Sequence, residues 1–150
     1  MIYSAGCEYA IRALSRLAQR APDGAFCLLR DIVDQDELPA HFVGKLLQQL
    51  VRADLLVSAK GRGGGFALRD LPGEIKLRQI VEAIDGRERI RGCILGLSEC
   101  NEHQACPQHD NWVAIRRQIE ETLDKTTLAD LAEALAKKQA RAEKLATRRK

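Results

Sequence analysis

Ala40-His41-Phe42-Val43-Gly44-Lys45-Leu46-Leu47-Gln48-Gln49-Leu50-Val51-Arg52-Ala53, followed shortly by Lys60-Gly61-Arg62-Gly63-Gly64, is the stretch on which the fold turns. The first run sets Phe42, Leu46, Leu47 and Leu50 on one side of a helix, with His41, Lys45, Gln48, Gln49 and Arg52 on the other. The second is a glycine-dense turn between two short strands expected at residues 55–59 and 65–68. Just upstream, residues 28–33 read as a short helix, and the polar segment 34–39 ends in Pro39, which suits the first turn of a helix. Two helices joined by a short turn, then a β-hairpin, make a winged helix-turn-helix.

Outward from this centre the chain is mostly helical. Residues 3–20 place Ala10, Leu14 and Leu17 on one stripe, widened by Ile11 and Ala18, and Ala21-Pro22-Asp23-Gly24 ends it. Residues 75–84 form another helix through Leu77, Ile80, Val81 and Ile84, closed by Asp85-Gly86. Trp112, Ile115, Ile119 and Leu123 then recur at spacings of three and four, an apolar stripe expected to pack against a second copy of itself. Leu128, Leu131 and Leu135 begin a second, shorter helix, and the alanine- and cation-rich tail is expected to fray. The expected architecture is mainly α: a winged helix-turn-helix with a two-stranded wing and a long C-terminal dimerisation helix. Residues 1–90 are expected to form the winged helix-turn-helix DNA-binding domain, 91–110 a cluster-binding loop, 111–136 the dimerisation helix and a short final helix, and 137–150 a basic, disordered tail.

Charge is unevenly spread over the 150 residues. Residues 1–90 carry 13 basic and 12 acidic side chains, residues 91–136 carry 4 and 8, and residues 137–150 carry 7 and 1. DNA contact therefore rests on a few placed side chains rather than on a broad basic face. In a helix-turn-helix the second helix enters the major groove, which assigns His41, Lys45 and Gln48 to base edges or phosphates. Gly44 stands among them, either for close backbone approach or at the loss of a contact. Lys60 and Arg62, on either side of Gly61, suit a wing that approaches the backbone and the minor groove. The glycines lack the Gly-Lys-Ser/Thr ending and the GxGxxG pattern of nucleotide loops. No nucleophile–base or carboxylate pair stands out, so an enzyme is not expected.

Cys93, Cys100 and Cys106 with His109 read C-x6-C-x5-C-x2-H in a polar, turn-like segment. The longest apolar runs are far too short to span a membrane, and the N-terminus has no signal-peptide core. A cytoplasmic setting follows as the expectation. In a reducing compartment such cysteines point to a metal or to thiol redox chemistry rather than to disulfides. Cysteine thiolates with an occasional His hold iron–sulfur clusters, and zinc also accepts Cys3His. The absence of paired C-x2-C knuckles favours a 2Fe–2S or 4Fe–4S cluster over zinc; a metal-free thiol switch is the further alternative. The fourth ligand stays open among His109, His103 and Glu8. Cys7 and Cys27 sit in apolar patterns and read as packing residues.

The chain resembles the Rrf2 family of winged-helix transcription regulators, many of which carry an iron–sulfur cluster. The resemblance runs from Tyr3 to about Ala136. Its markers are Glu8-Tyr9-Ala10-Ile11-Arg12-Ala13-Leu14, Gly61-Arg62-Gly63-Gly64-Gly65-Phe66, Ile80-Val81-Glu82-Ala83-Ile84-Asp85-Gly86, the cysteine triplet, and the run from Leu123 through Thr126-Thr127 to Leu131. It implies a homodimer on a palindromic promoter site, with one cluster per subunit ligated by Cys93, Cys100 and Cys106. His109 matches the fourth-ligand position of some members. Glu8 matches the acidic position of others, in which the carboxylate arrives across the dimer. The six-residue first spacer is longer than the four or five common in the family.

Overall fold

The computed structural model describes residues 2–34, 38–103 and 106–147. Helix α1 (Ala5–Arg20) is followed by α2 (Leu29–Val33), α3 (Ala40–Arg52), the hairpin β1 (Leu56–Ala59) and β2 (Gly65–Leu68), α4 (Leu77–Asp85), α5 (Glu88–Arg91), α6 (His109–Lys125) and α7 (Leu128–Thr147). This is the expected mainly helical winged helix-turn-helix with a two-stranded sheet and a long C-terminal helix. Part of the expected 34–39 turn, residues 35–37, lies outside the described residues. Pro39 stands at the N-cap of α3 rather than inside its first turn.

Ser4 starts α1: its side-chain oxygen accepts from the Cys7 N–H at 3.0 Å, satisfying a donor that has no partner within the helix. The buried face of α1 (Ala10, Ala13, Leu14, Leu17) meets Val43, Leu47 and Leu50 of α3, Leu56 of β1 and Ile75 and Ile80 in one core. On α3 it is Val43, not Phe42, that fills the first buried position, so the true stripe is Val43, Leu46, Leu47 and Leu50. Phe42 is 42% exposed and stands edge-on to Tyr9, ring centroids 5.9 Å apart. A second core joins Cys7, Leu77, Val81, Ile90 and Leu123, and it seats α6 on the domain.

The wing is antiparallel, with Leu56 opposite Leu68 and Ala59 opposite Gly65. Cys27 widens it, exchanging two 2.8 Å backbone hydrogen bonds with Phe66. That close approach is why residue 65 is glycine: its φ is +121°, and an added Cβ would lie 2.1 Å from the Cys27 carbonyl oxygen. Gly61, with φ +85°, faces open space instead.

The chain's second half departs from expectation. The apolar stripe of α6 is divided: Leu123 is buried in the chain's own core, Trp112 and Ile119 are half-buried, and Ile115 is 49% exposed. Arg78 of α4 grips the foot of α6, donating from Nη2 to Asp124 Oδ2 at 2.9 Å and to the Glu120 carbonyl at 3.2 Å. Helix α7, expected to be the shorter, has 20 residues against 17 for α6. It does not fray over residues 137–147. A capping box starts it: Asp130 Oδ2 accepts from the Thr127 N–H at 2.8 Å, and Thr127 Oγ1 accepts from the Asp130 N–H at 3.2 Å. Packing of Leu128 and Ala132 then nucleates a helix that Ala, Lys, Gln, Arg and Leu, all strong helix formers, extend. Residues 148–150 of the expected tail lie outside the described residues. Among the described residues no helix is long and apolar enough to cross a membrane.

Two outcomes follow for stability. Gly65→Ala is expected to cost more than about 3 kcal/mol, from backbone collision plus a disfavoured φ, and Gly61→Ala only about 1–2 kcal/mol, from φ alone; urea unfolding of both variants ranks them. The hydrogen bond from Arg78 holds the Asp124 carboxyl below the ordinary carboxylate range. That stabilisation is present above the ordinary range and lost as pH falls through the lowered value. Arg78→Ala therefore lowers the urea midpoint at pH 7, and the gap to wild type narrows as pH drops below about 4.

Candidate functional site: a DNA-reading head and a cysteine loop

Helix α3 presents its head residues because the opposite face is committed to the core. His41, Lys45 and Gln48 are all exposed and line a groove of about 470 Å³ that also includes Leu29, Gly44 and Arg52. Gly44 serves packing: a Cβ there would lie 3.1 Å from Leu29 Cδ2, so its absence lets α2 close against α3. Gln49, by contrast, turns inward and donates to the Ala83 carbonyl at 2.8 Å, tying α3 to the end of α4. Lys60 and Arg62 are exposed in the wing turn, which the Gly64 N–H closes onto the Gly61 carbonyl at 3.1 Å. Arg52, an exposed cation lining the groove, extends the sequence-derived set. Its position one turn beyond Gln48 was the available signal.

The cysteine loop springs from a braced platform. At the end of α4 the Asp85 side chain, 4% exposed, accepts from the Ser4 N–H at 2.8 Å and from the Ser4 hydroxyl, and it pairs with Arg89 of α5 at 3.3 Å. Two donors from α6 then hold the chain entering the loop. Trp112 Nε1 donates to the Gly92 carbonyl at 2.8 Å and Arg116 Nη1 to the Arg91 carbonyl at 2.9 Å. These two side chains escaped the sequence reading, which took Trp112 for an apolar stripe residue. Only its being the sole tryptophan of the chain marked it out.

Within the loop the four expected donors meet as two pairs. Cys93 Sγ and Cys106 Sγ are 3.7 Å apart, and Cys100 Sγ and His109 Nδ1 are also 3.7 Å apart. Two thiolates about 2.3 Å from one tetrahedral metal stand about 3.8 Å apart, and a thiolate–imidazole pair about 3.6 Å apart. Each pair therefore has the spacing of two ligands on one ion. Among the described residues no three His, Cys, Asp or Glu side chains converge on a single point. His103 is exposed and its backbone N–H donates to Asn101 Oδ1 at 3.0 Å. Glu8 lies half-buried in the first turn of α1 and, among the described residues, makes no hydrogen bond or ion pair to the loop.

The thiols differ in acidity. Backbone N–H groups of Leu97, Leu95 and Gly96 turned towards Cys93, with help from Cys106, lower its thiol pKa. For Cys106 the Gln108 N–H lowers the pKa, but burial and the neighbouring Cys93 and Cys100 outweigh it, so the thiol is raised. Burial pushes Cys7 up to about 12, and burial also raises Cys27.

The helix pair, the exposed face of α3 and the wing define a winged helix-turn-helix, the fold of a DNA-binding regulator. Residues 3–134 match the Rrf2 family, described as iron-dependent transcriptional regulators, and the chain belongs to that family. It is 28% identical to the HTH-type transcriptional regulator CymR of Bacillus subtilis over 125 residues, 83% of this chain and 85% of that protein. The structure of CymR, the global cysteine regulator of B. subtilis, superposes with a TM-score of 0.74 at 28% identity, covering 87% of this chain and 95% of that one. The structure of T. potens IscR superposes with a TM-score of 0.67 at 26% identity, covering 88% and 86%. The family is one of transcriptional regulators, not of enzymes.

Differential alkylation tests the thiol environments. In native, metal-free protein treated with iodoacetamide at pH 7.5, Cys93 is expected to be modified first and Cys7 only on unfolding. Peptide mass spectrometry showing Cys7 labelled as fast as Cys93 would contradict the buried, raised state of that thiol.

Proposed function

We propose that the chain is a cytoplasmic transcriptional regulator whose promoter binding is controlled by an iron–sulfur cluster on the 93–109 loop. The observation that carries this reading is the pairing of donors, Cys93 with Cys106 and Cys100 with His109. Four donors in two pairs suit two irons, and so a 2Fe–2S cluster with His109 as its fourth ligand. A single structural zinc calls for all four donors around one ion, and among the described residues no three of them converge on one point. In this reading Glu8 stays outside the ligand set of its own chain. When bound, a cluster supplies one-electron chemistry and sensitivity to oxidants, nitric oxide and iron supply.

The protein's own residues carry the signal onwards. Trp112 and Arg116 grip the carbonyls of Gly92 and Arg91, so a change of loop shape reaches α6 directly. The exposed Ile94, Leu95, Leu97 and Ile115 lie on the loop and on the outer half of α6. A second copy of the chain covering these residues makes the homodimer that a palindromic site needs. His41, Lys45 and Gln48 then reach bases, and Lys60 and Arg62 reach the backbone and the minor groove. One observation favours a second reading. The Cys93 and Cys106 sulfurs, 3.7 Å apart with one thiol made more acidic, also suit a metal-free thiol switch.

Protein purified without oxygen is expected to be coloured, with about two iron and two sulfide per chain, and Cys93→Ala, Cys100→Ala or Cys106→Ala to lose both. Colourless protein that resists reconstitution with iron and sulfide would exclude the cluster. Stoichiometric zinc in it would select a zinc site, and its absence the thiol switch.

A further inference from the structure

We propose that the outer turns of α7 are a second DNA-contacting surface, in which Lys137, Arg141 and Lys144 bind the phosphate backbone of the duplex held by the reading head. The three cations recur at spacings of four and three, so they share one face of the helix, and all are exposed. Lys137 also pairs with Glu133, one turn back. Among the described residues, no ion pair engages Arg141 or Lys144. The family match ends at residue 134, so the stripe lies beyond the matched residues.

Charge identifies the occupant. Residues 1–136 carry 17 basic against 20 acidic side chains, while residues 137–150 carry 7 against 1. Without the extension the chain is net negative, a poor starting point for a protein that must hold a polyanion, because phosphate neutralisation supplies most sequence-independent DNA affinity. Along α7 the three cations span seven residues, about 10 Å. A DNA strand presents a phosphate about every 3.4 Å of axis, so consecutive phosphates lie within reach of all three.

Mounting makes the stripe a fixed face rather than a loose tail. The inner face of α7 is anchored by Ala132, whose carbonyl accepts from Gln19 Nε2 at 2.8 Å near the end of α1. Capping and packing at Leu128 and Ala132 hold α7 as a helix, so its cations are presented along one line rather than on a loose tail.

The test uses full-length protein and an unselected, mixed-sequence 30-bp duplex, so it depends on neither the operator nor the cluster. Affinity is measured by fluorescence anisotropy from 50 to 300 mM NaCl. The Lys137→Gln/Arg141→Gln/Lys144→Gln variant keeps helix propensity. Each lost phosphate contact lowers the slope of log K against log[salt] by about 0.9, so the expected fall is about 2.7 per bound chain. A charge-keeping variant, Lys137→Arg/Arg141→Lys/Lys144→Arg, is expected to retain the wild-type slope. An unchanged slope in the Gln variant would overturn the proposal. So would a reduced slope accompanied by a change of mass in sedimentation, which would assign the stripe to contact between protein chains.

Discussion

A single carboxylate holds together the point where the reading head gives way to the cysteine loop. The Asp85 side chain is 4% exposed, and a charge that far from water is tolerated only when donors replace its hydration. Ser4 supplies two of them, from its backbone and its hydroxyl, and the Arg89 guanidinium pairs with the carboxylate at 3.3 Å. Ser4 also caps α1, the helix at the centre of the main core, so one contact fixes the start of α1, the end of α4 and the placement of α5. Arg89 reaches further, donating to the Ile2 carbonyl at 3.3 Å. Cys93 comes four residues after Arg89, and its position is inherited from this junction.

Beyond the junction, the loop and α6 are coupled by hydrogen bonds rather than by burial. Trp112 and Arg116 fix two successive carbonyls at the loop's entrance, while Leu123 and the Arg78–Asp124 pair fix the foot of the same helix. Helix α6 is thus a lever pinned to the domain at one end and to the cysteine loop at the other. Its Ile115 stays 49% exposed between those anchors, where a second copy of the chain is proposed to pack.

Much of this was legible in the residues. The helix-turn-helix and wing were readable because glycine placement and apolar spacing are local signals: Gly65 sits where the backbone of Cys27 leaves no room for a Cβ. Spacing also singled out Cys93, Cys100, Cys106 and His109, which the structure brings together as two pairs. What escaped was tertiary. Phe42 and Val43 are adjacent and both apolar, and only the packing of α3 against α1 decides which one is buried. The inward turn of Gln49 and the roles of Trp112 and Arg116 depend on carbonyls 34, 20 and 25 residues away in the chain. The tail misled for another reason: its alternating alanines and cations suggested disorder, although the same residues propagate a helix once its first turns are packed. The pairing of donors in the loop could not be read from spacing at all.

In the proposed function the state of the 93–109 loop sets DNA affinity. The most direct measurement is the affinity of oxygen-free protein for a duplex selected by it from a random pool, taken before and after removal of iron with a chelator. Affinity is expected to change at least about tenfold, a shift of about 1.4 kcal/mol, with the Cys93→Ala, Cys100→Ala, Cys106→Ala protein fixed at the iron-free value. Equal affinity in all three states would contradict it and leave a regulator whose loop does not govern its reading head.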